Sequence, residues 1–451
     1  MKRYRWLLGC CLFLSIGMLW AADEPDLRML QQKAAQSRDM EGYVGVCKYL
    51  YQTEENPELL LLYADSIHQL ATKSKKPEQL VEYYIWASEG NFIKGDFQQG
   101  YALKRKAIAL AEKAGLKFAI SQSCCDMGYY CNVDARYDSA RYYFRKGLEA
   151  GEDLSEAGEA CRTMLTNYAS SFLFEGKTDS ALVYTIRASE RSAADKDTAM
   201  LIENLNQLGT IYRRKKDLEN CITNFEQALH LCELRGNHNA VAFIYGNIAT
   251  AYCDWNRPGD AIPFSEKAVE YALKTGNKRR IGTCYVNLGA IQTRLVQMRA
   301  EGIATLLKAI PILEEVNDRR LLCDAYNYLV NAYRMDGNLN QAMYYLQKLD
   351  KLAHEMQTDA ERFRYYQAKA GLLQESKKYT EAIIYYRRII DMLRSGYKDA
   401  RDYEHYKRLA DCYLAVNNSS QAYEYLTQAY ALRDSAFHTE QTEQLSEYSV
   451  K

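Results

Sequence analysis

Residues 245–268 read YGNIATAYCDWNRPGDAIPFSEKA, and residues 205–228 read LNQLGTIYRRKKDLENCITNFEQA. Aligned on Ala249 and Gly209, both have a large residue four positions before the small one (Tyr245, Leu205). Both have an apolar residue directly before it (Ile248, Leu208) and a tyrosine three after (Tyr252, Tyr212). Offsets of three, four and seven put these residues on one face of a helix. Turn formers follow, Asn256–Asp260 in one copy and Lys216-Asp217 in the other. A second apolar pattern then opens at Ala261 or Cys221. Each stretch therefore predicts two helices joined by a short turn.

The pattern recurs along most of the chain. Ser88, Gly128, Ala169, Gly209, Ala249, Gly289, Val330, Ala370 and Ala410 succeed one another at intervals of 40 or 41 residues. Tyrosine stands four before this marker in six of the nine units (Tyr84, Tyr245, Tyr285, Tyr326, Tyr366, Tyr406). Twelve after it come Ala140, Ala181, Cys221, Ala261, Ala342, Ala382 and Ala422, with Gly302 one residue late through an insertion in that turn. Phe144, Phe225 and Leu306 follow four further on, whereas Thr185 and Ser265 are polar where an aromatic is expected. Small residues on both helices let an antiparallel pair approach closely, and the large ones fill the grooves around the contact. One pair cannot bury its own apolar face, so the pairs must stack.

This spacing of large, small, aromatic and alanine positions resembles the tetratricopeptide repeat family, most clearly over Leu205–Ala228 and Tyr245–Ala268. The usual family period is 34 residues, so about 40 looks like a variant with longer helices. The resemblance implies an all-α solenoid, a right-handed superhelix of stacked antiparallel helix pairs, with about nine units over residues 80–433. Helical patterns at 25–37, 39–52 and 57–73 place a degenerate N-terminal cap in 23–79, and the polar segment 434–451 reads as a tail helix or linker.

Composition agrees with a chain of helices. Six prolines in 451 residues suit long helices, because an interior proline removes a backbone donor and clashes with the preceding turn. Lysine plus arginine equal aspartate plus glutamate at 58 each, which disfavours a nucleic-acid partner. Lys2, Arg3 and Arg5 precede the apolar run Trp6–Trp20, then Ala21-Ala22 and acidic Asp23-Glu24, so residues 1–22 read as a signal peptide. A retained anchor or a lipid-modified Cys10 are the alternatives; the signal-peptide reading implies export to the periplasm or cell envelope. Eleven cysteines remain beyond this segment, irregularly spaced and with no C-x-x-C pair, and read as small buried residues.

No sequence constellation for catalysis emerges. The six histidines (68, 230, 238, 354, 405, 438) form no H-E-x-x-H, and phosphate-binding glycine loops and the G-x-S-x-G elbow are absent. The chain points to no cofactor and no metal. A binding face remains. The residue two before each marker lies off the packing face, giving Asn167, Gln207, Asn247, Asn287 and Tyr328 in successive units. Amides suit the alternating N–H and C=O of an extended peptide. Arg214, Asp254 and Arg294 lie seven further on, with Arg213 and Arg334 adjacent in register. Some tetratricopeptide proteins use an asparagine ladder here, and the resemblance carries that role onto Asn167, Asn247 and Asn287, with Gln207 as a departure. The competing reading has these amides bonding within the repeat or facing water. The functional expectation is a non-enzymatic scaffold for a peptide or protein in the concave groove. The alternative is the sensor region of a membrane-bound transcriptional or kinase-type regulator whose output domain lies beyond residue 451, with membrane contact only in that case or if the N-terminal segment is retained. Oligomeric state is not legible.

Overall fold

Aspartate and asparagine side chains start many of the helices, and a single left-handed residue ends many of them. Asp217, for example, accepts from the Asn220 amide at 3.1 Å, and Asn277 from the Arg280 amide at 3.0 Å, each satisfying a donor that the first helical turn leaves open. The computed structural model describes residues 27–449 apart from 54–55, 357, 398 and 400–401. The expected signal segment 1–22 lies outside the described residues.

Among the described residues there are twenty-one α-helices and no strands. The first three are α1 (Leu27–Ser37), α2 (Met40–Thr53) and α3 (Pro57–Ser74). Nine helix pairs follow: α4 (Pro77–Lys94) with α5 (Phe97–Ala114), α6 (Lys117–Val133) with α7 (Tyr137–Gly151), and α8 (Gly158–Glu175) with α9 (Thr178–Ala194). Then come α10 (Thr198–Arg214) with α11 (Leu218–Leu234), α12 (His238–Asp254) with α13 (Pro258–Thr275), and α14 (Lys278–Arg294) with α15 (Arg299–Glu315). The last are α16 (Arg319–Met335) with α17 (Leu339–Leu352), α18 (Asp359–Glu375) with α19 (Tyr379–Arg394), and α20 (Asp402–Ala415) with α21 (Ser419–Ser449). The helices group into two units, residues 1–247 and 248–451. In the first, each helix from α1 to α10 packs on its successor; in the second, each from α13 to α20 does the same. First helices also touch the next first helix, α8 with α10 and α14 with α16, which is the stacking of a helical-repeat solenoid. No described helix is long and apolar enough to cross a membrane.

The small marker residue explains the pairing. A Cβ on Gly209 would stand 2.6 Å from the Phe225 ring, and one on Gly128 2.4 Å from Phe144. One on Gly289 would meet Leu306 at 2.7 Å. The large residue of each second helix thus lies directly on the backbone of its first helix. The polar exceptions occur where the marker already carries a methyl group: Thr185 and Ser265 stand opposite the register of Ala169 and Ala249, and both are buried. Thr185 spends its hydroxyl on the Ala181 carbonyl at 2.8 Å.

The turn inside each pair obeys one backbone rule. Seven residues after the marker, φ is positive at Gly95, Ala135, Gly176, Lys216, Asn256, Gly337, Lys377 and Asn417, between 55° and 93°. Side-chain identity varies while the conformation does not. The unit of Gly289 departs, since its corresponding residue is Val296, whose β-branch resists positive φ. A short 3₁₀ turn at Val296–Met298 stands there instead, matching the insertion read in the sequence.

Tyrosine abundance has a further structural source. Four units stack an aromatic three after the marker on one fifteen after it: Phe172–Tyr184, Tyr252–Phe264, Tyr333–Tyr345 and Tyr413–Tyr425. Their centroids are 5.3 to 5.7 Å apart with planes within 15°, the offset-stacked geometry that adds to simple burial. Ten of the eleven cysteines among the described residues are buried, and burial pushes the Cys47 thiol up to about 12. In the unit of Ser88 the large second-helix position is Lys104, fully buried. Its ammonium bonds Glu89 and, at 2.9 Å, Asp126, while the Tyr130 hydroxyl donates to Glu89 at 2.7 Å. Burial alone would depress this lysine, but Asp126 and Glu89 outweigh it and hold the ammonium above its usual range.

Two substitutions test this reading. Gly209→Val drives a branched side chain into the Phe225 ring and destabilises the fold by roughly 1–3 kcal/mol, in part restored by Phe225→Leu. Lys216→Gly relieves a left-handed non-glycine residue and stabilises by up to about 1 kcal/mol. Urea midpoints measured on the purified chain check both signs.

Candidate first-helix binding face

On α10, Leu205, Leu208, Gly209 and Tyr212 form the side that meets α11. Glu203, Gln207, Thr210 and Arg214, spaced by four, three and four, form the opposite stripe. The flanking first helices press on that stripe. Asn167 is 3% exposed and Gln207 8%, and Glu203, one turn before Gln207, is 7% exposed. Polar groups buried this deeply need partners, and most find them sideways on a neighbouring first helix. Asn132 donates to the Asn167 carbonyl at 3.0 Å. The Thr166 hydroxyl donates to Asn204 Oδ1 at 2.9 Å. Gln207 Nε2 donates to Ser170 Oγ at 2.8 Å, and Asn247 Nδ2 to Asn206 Oδ1 at 2.7 Å. Arg214 Nη1 donates to the Leu173 carbonyl at 2.8 Å, and Arg213 is half-buried beside it.

The second unit is more open. Asp254, Asn287 and Arg294 are exposed. Tyr328 is half-buried; burial raises its phenol, Asp324 adds to the rise, and Arg364 and Arg294 oppose it. Asp324 itself is raised by burial against the pull of Arg364, whose Nη2 lies 2.9 Å from Asp324 Oδ1. Arg334 pairs with Glu375. Arg294 and Asp254 also act in opposite senses on the Cys253 thiol, which burial raises. Tyr328 and Arg294 therefore share one charged neighbourhood, while Arg334 is held by an acidic side chain of α18. Among the described residues no group of three or more His, Cys, Asp or Glu side chains is arranged to hold a metal ion.

A family profile described as Tetratricopeptide repeat matches residues 200–274, and a second of the same description matches residues 363–392. The chain is a tetratricopeptide repeat protein. No curated protein matches it. It is similar in structure to a signal-transduction ATPase with numerous domains and a tetratricopeptide repeat sensor from Pyrococcus horikoshii, at 15% identity and TM-score 0.53, over 87% of this chain and 55% of that one. It is also similar to a tetratricopeptide repeat protein from Parabacteroides merdae (15% identity, TM-score 0.46, 64% of this chain and 98% of that one). A third is the apo quorum sensor NprR from B. thuringiensis (15% identity, TM-score 0.48, 78% and 98%).

Within the tetratricopeptide register the amides do something that neither sequence reading anticipated. Gln207 and Asn247 bond across repeats, from one first helix to the next, rather than within a repeat. Asn287 is the exposed member of the series. Sequence reasoning passed over Glu203. Its signal was present, an acidic residue four before Gln207 on the same stripe, but a carboxylate on a helix surface ordinarily faces water. Here neighbouring helices cover it, and burial raises its carboxyl to about 8.

That rise has a consequence for stability. Below about 4.5 the carboxyl is protonated in both folded and unfolded chains, and Glu203 costs nothing. As pH rises to about 8 the unfolded chain releases the proton while the fold retains it, so stability falls. Glu203→Gln removes that loss. The variant is expected to be more stable than the native chain by a few kcal/mol, on the order of the pKa displacement, at pH 7–8 and equal to it near pH 4. Denaturant melts across this range read the difference.

Proposed function

We propose that this protein is an exported, non-enzymatic scaffold that holds a peptide or protein partner along the first-helix stripe of its repeats. The observation that carries this reading is the register itself. Asn167, Gln207 and Asn247 in the first unit and Asn287 and Tyr328 in the second stand at one repeated position. Arg213 and Arg214 in the first unit, and Asp254, Arg294 and Arg334 in the second, lie further along the same helices. Closing each helix pair does not require these residue types, because the small, large and aromatic positions on the other faces do that; Gln207, Asn247 and Arg214 also bond the neighbouring repeat. Amides, guanidinium groups and a phenol in repeated order match the donors and acceptors of an extended chain with charged side chains. Export is inferred from Lys2, Arg3 and Arg5, the apolar run and Ala21-Ala22.

The double variant Asn247→Ala with Asn287→Ala tests the binding face. Crosslinking pull-down from the native envelope is expected to lose the partner captured by the unaltered chain, with circular dichroism unchanged. Undiminished capture by a fully helical variant would reject the assignment.

A further inference from the structure

The lateral network of the first unit leaves particular atoms unsatisfied. Ser170 donates its own hydroxyl to the Thr166 carbonyl at 3.0 Å, so Gln207 must offer Ser170 its amide hydrogens. Gln207 Oε1 is then left buried with no donor among the described residues, and Glu203 Oε2, one turn away on the same stripe, is in the same state. Both side chains are more than nine-tenths buried. They lie on the side of α10 opposite α11, the side on which the proposed ligand lies. Two acceptors lie within one helical turn with no donor from any other group, and the Glu203 carboxyl, which keeps its proton at neutral pH while the site is empty, releases that proton to solvent when a cation takes its place.

The same unit contains the contrasting case. Glu89 is also buried, and the chain supplies its cation through Lys104. Glu203 receives no such partner; burial is the one cause of its raised carboxyl, with no positive group opposing it. A buried acid without a counter-charge is costly, and Glu203→Gln is isosteric, so packing does not require the acid. The carboxylate therefore matters for what it can meet. Arg214 lies eleven residues along the same stripe, about 16 Å away at the rise of a helix, so the stripe runs from acid through amide to base.

We infer that Glu203 and Gln207 form a subsite for one cationic side chain, lysine or arginine, of the bound peptide, with the carboxylate facing the charge and the Gln207 carbonyl accepting a second hydrogen. The cation enters beside α10 within the first unit, and the ion pair forms where neighbouring first helices exclude water. A charge-assisted hydrogen bond in such surroundings is strong and selective. Arg214, at the far end of the stripe, carries the opposite charge to Glu203, and this polarity favours one orientation of the peptide.

This inference rests on the peptide-scaffold reading, and one experiment separates the two. A random peptide display library is selected at pH 7 on the whole native chain and, in parallel, on Glu203→Gln, whose folding is verified by its melt. The expected result is that the native chain enriches peptides with lysine or arginine at one fixed position, and that Glu203→Gln loses this preference. The best native-selected peptide should bind Glu203→Gln at least about tenfold more weakly. Replacing its basic residue by norleucine should cost the native chain a similar factor and the variant little. Peptides recovered with no basic position, or with one that survives Glu203→Gln unchanged, would overturn the subsite and leave the scaffold standing. Recovery of no peptide by either chain would overturn the peptide-binding reading and the subsite with it.

Discussion

Everything in this protein depends on how closely two antiparallel helices can approach at one point. At Gly128, Gly209 and Gly289 the large residue of the second helix lies against the bare backbone of the first. That contact fixes the depth of the pair, and the left-handed residue seven positions later fixes its return angle. The two conditions are independent of most side chains. Alanine, lysine and asparagine occupy the turn position as well as glycine, accepting a cost that the closed pair repays. Where the turn residue is Val296, the backbone yields instead and a 3₁₀ turn with an inserted residue takes over.

Close pairs stacked side by side bring their first helices near one another, and this decides the chemistry of the remaining stripe. A residue that points away from its own second helix meets the first helix of the next repeat. In the first unit the result is a run of amides and hydroxyls linking α8, α10 and α12. Satisfied groups in that run hold the repeats in register. The informative ones are the groups left over. Lys104 and Glu203 illustrate the two outcomes: each is a charged residue drawn into a buried position, but Lys104 finds two carboxylates and Glu203 finds no cation. In the second unit Arg364 stands against Asp324 and Arg334 against Glu375.

The tyrosines show how far repetition constrains composition. One set fills the groove four before the marker, as the periodicity implies. Another stacks in parallel pairs across the two helices, joining positions twelve residues apart in sequence. Such pairs are invisible to a one-helix reading, since each ring belongs to a different helix and only the turn brings them together.

By itself, the sequence determined the helix pairs, their period and the positions that pack them, because those follow from local periodicity and from the size of one residue at a time. It also marked the inserted residue near Gly302 and the amides at a common register. Only the tertiary structure decided what those amides touch. Asn247 bonds Asn206, 41 positions earlier, and Gln207 bonds Ser170, 37 positions earlier, separations that no helical spacing announces. It likewise decided that Glu203 is covered rather than solvated. Burial at such a position is set by the neighbouring repeat, and a neighbour's proximity is a property of the stack, not of the segment that carries the residue.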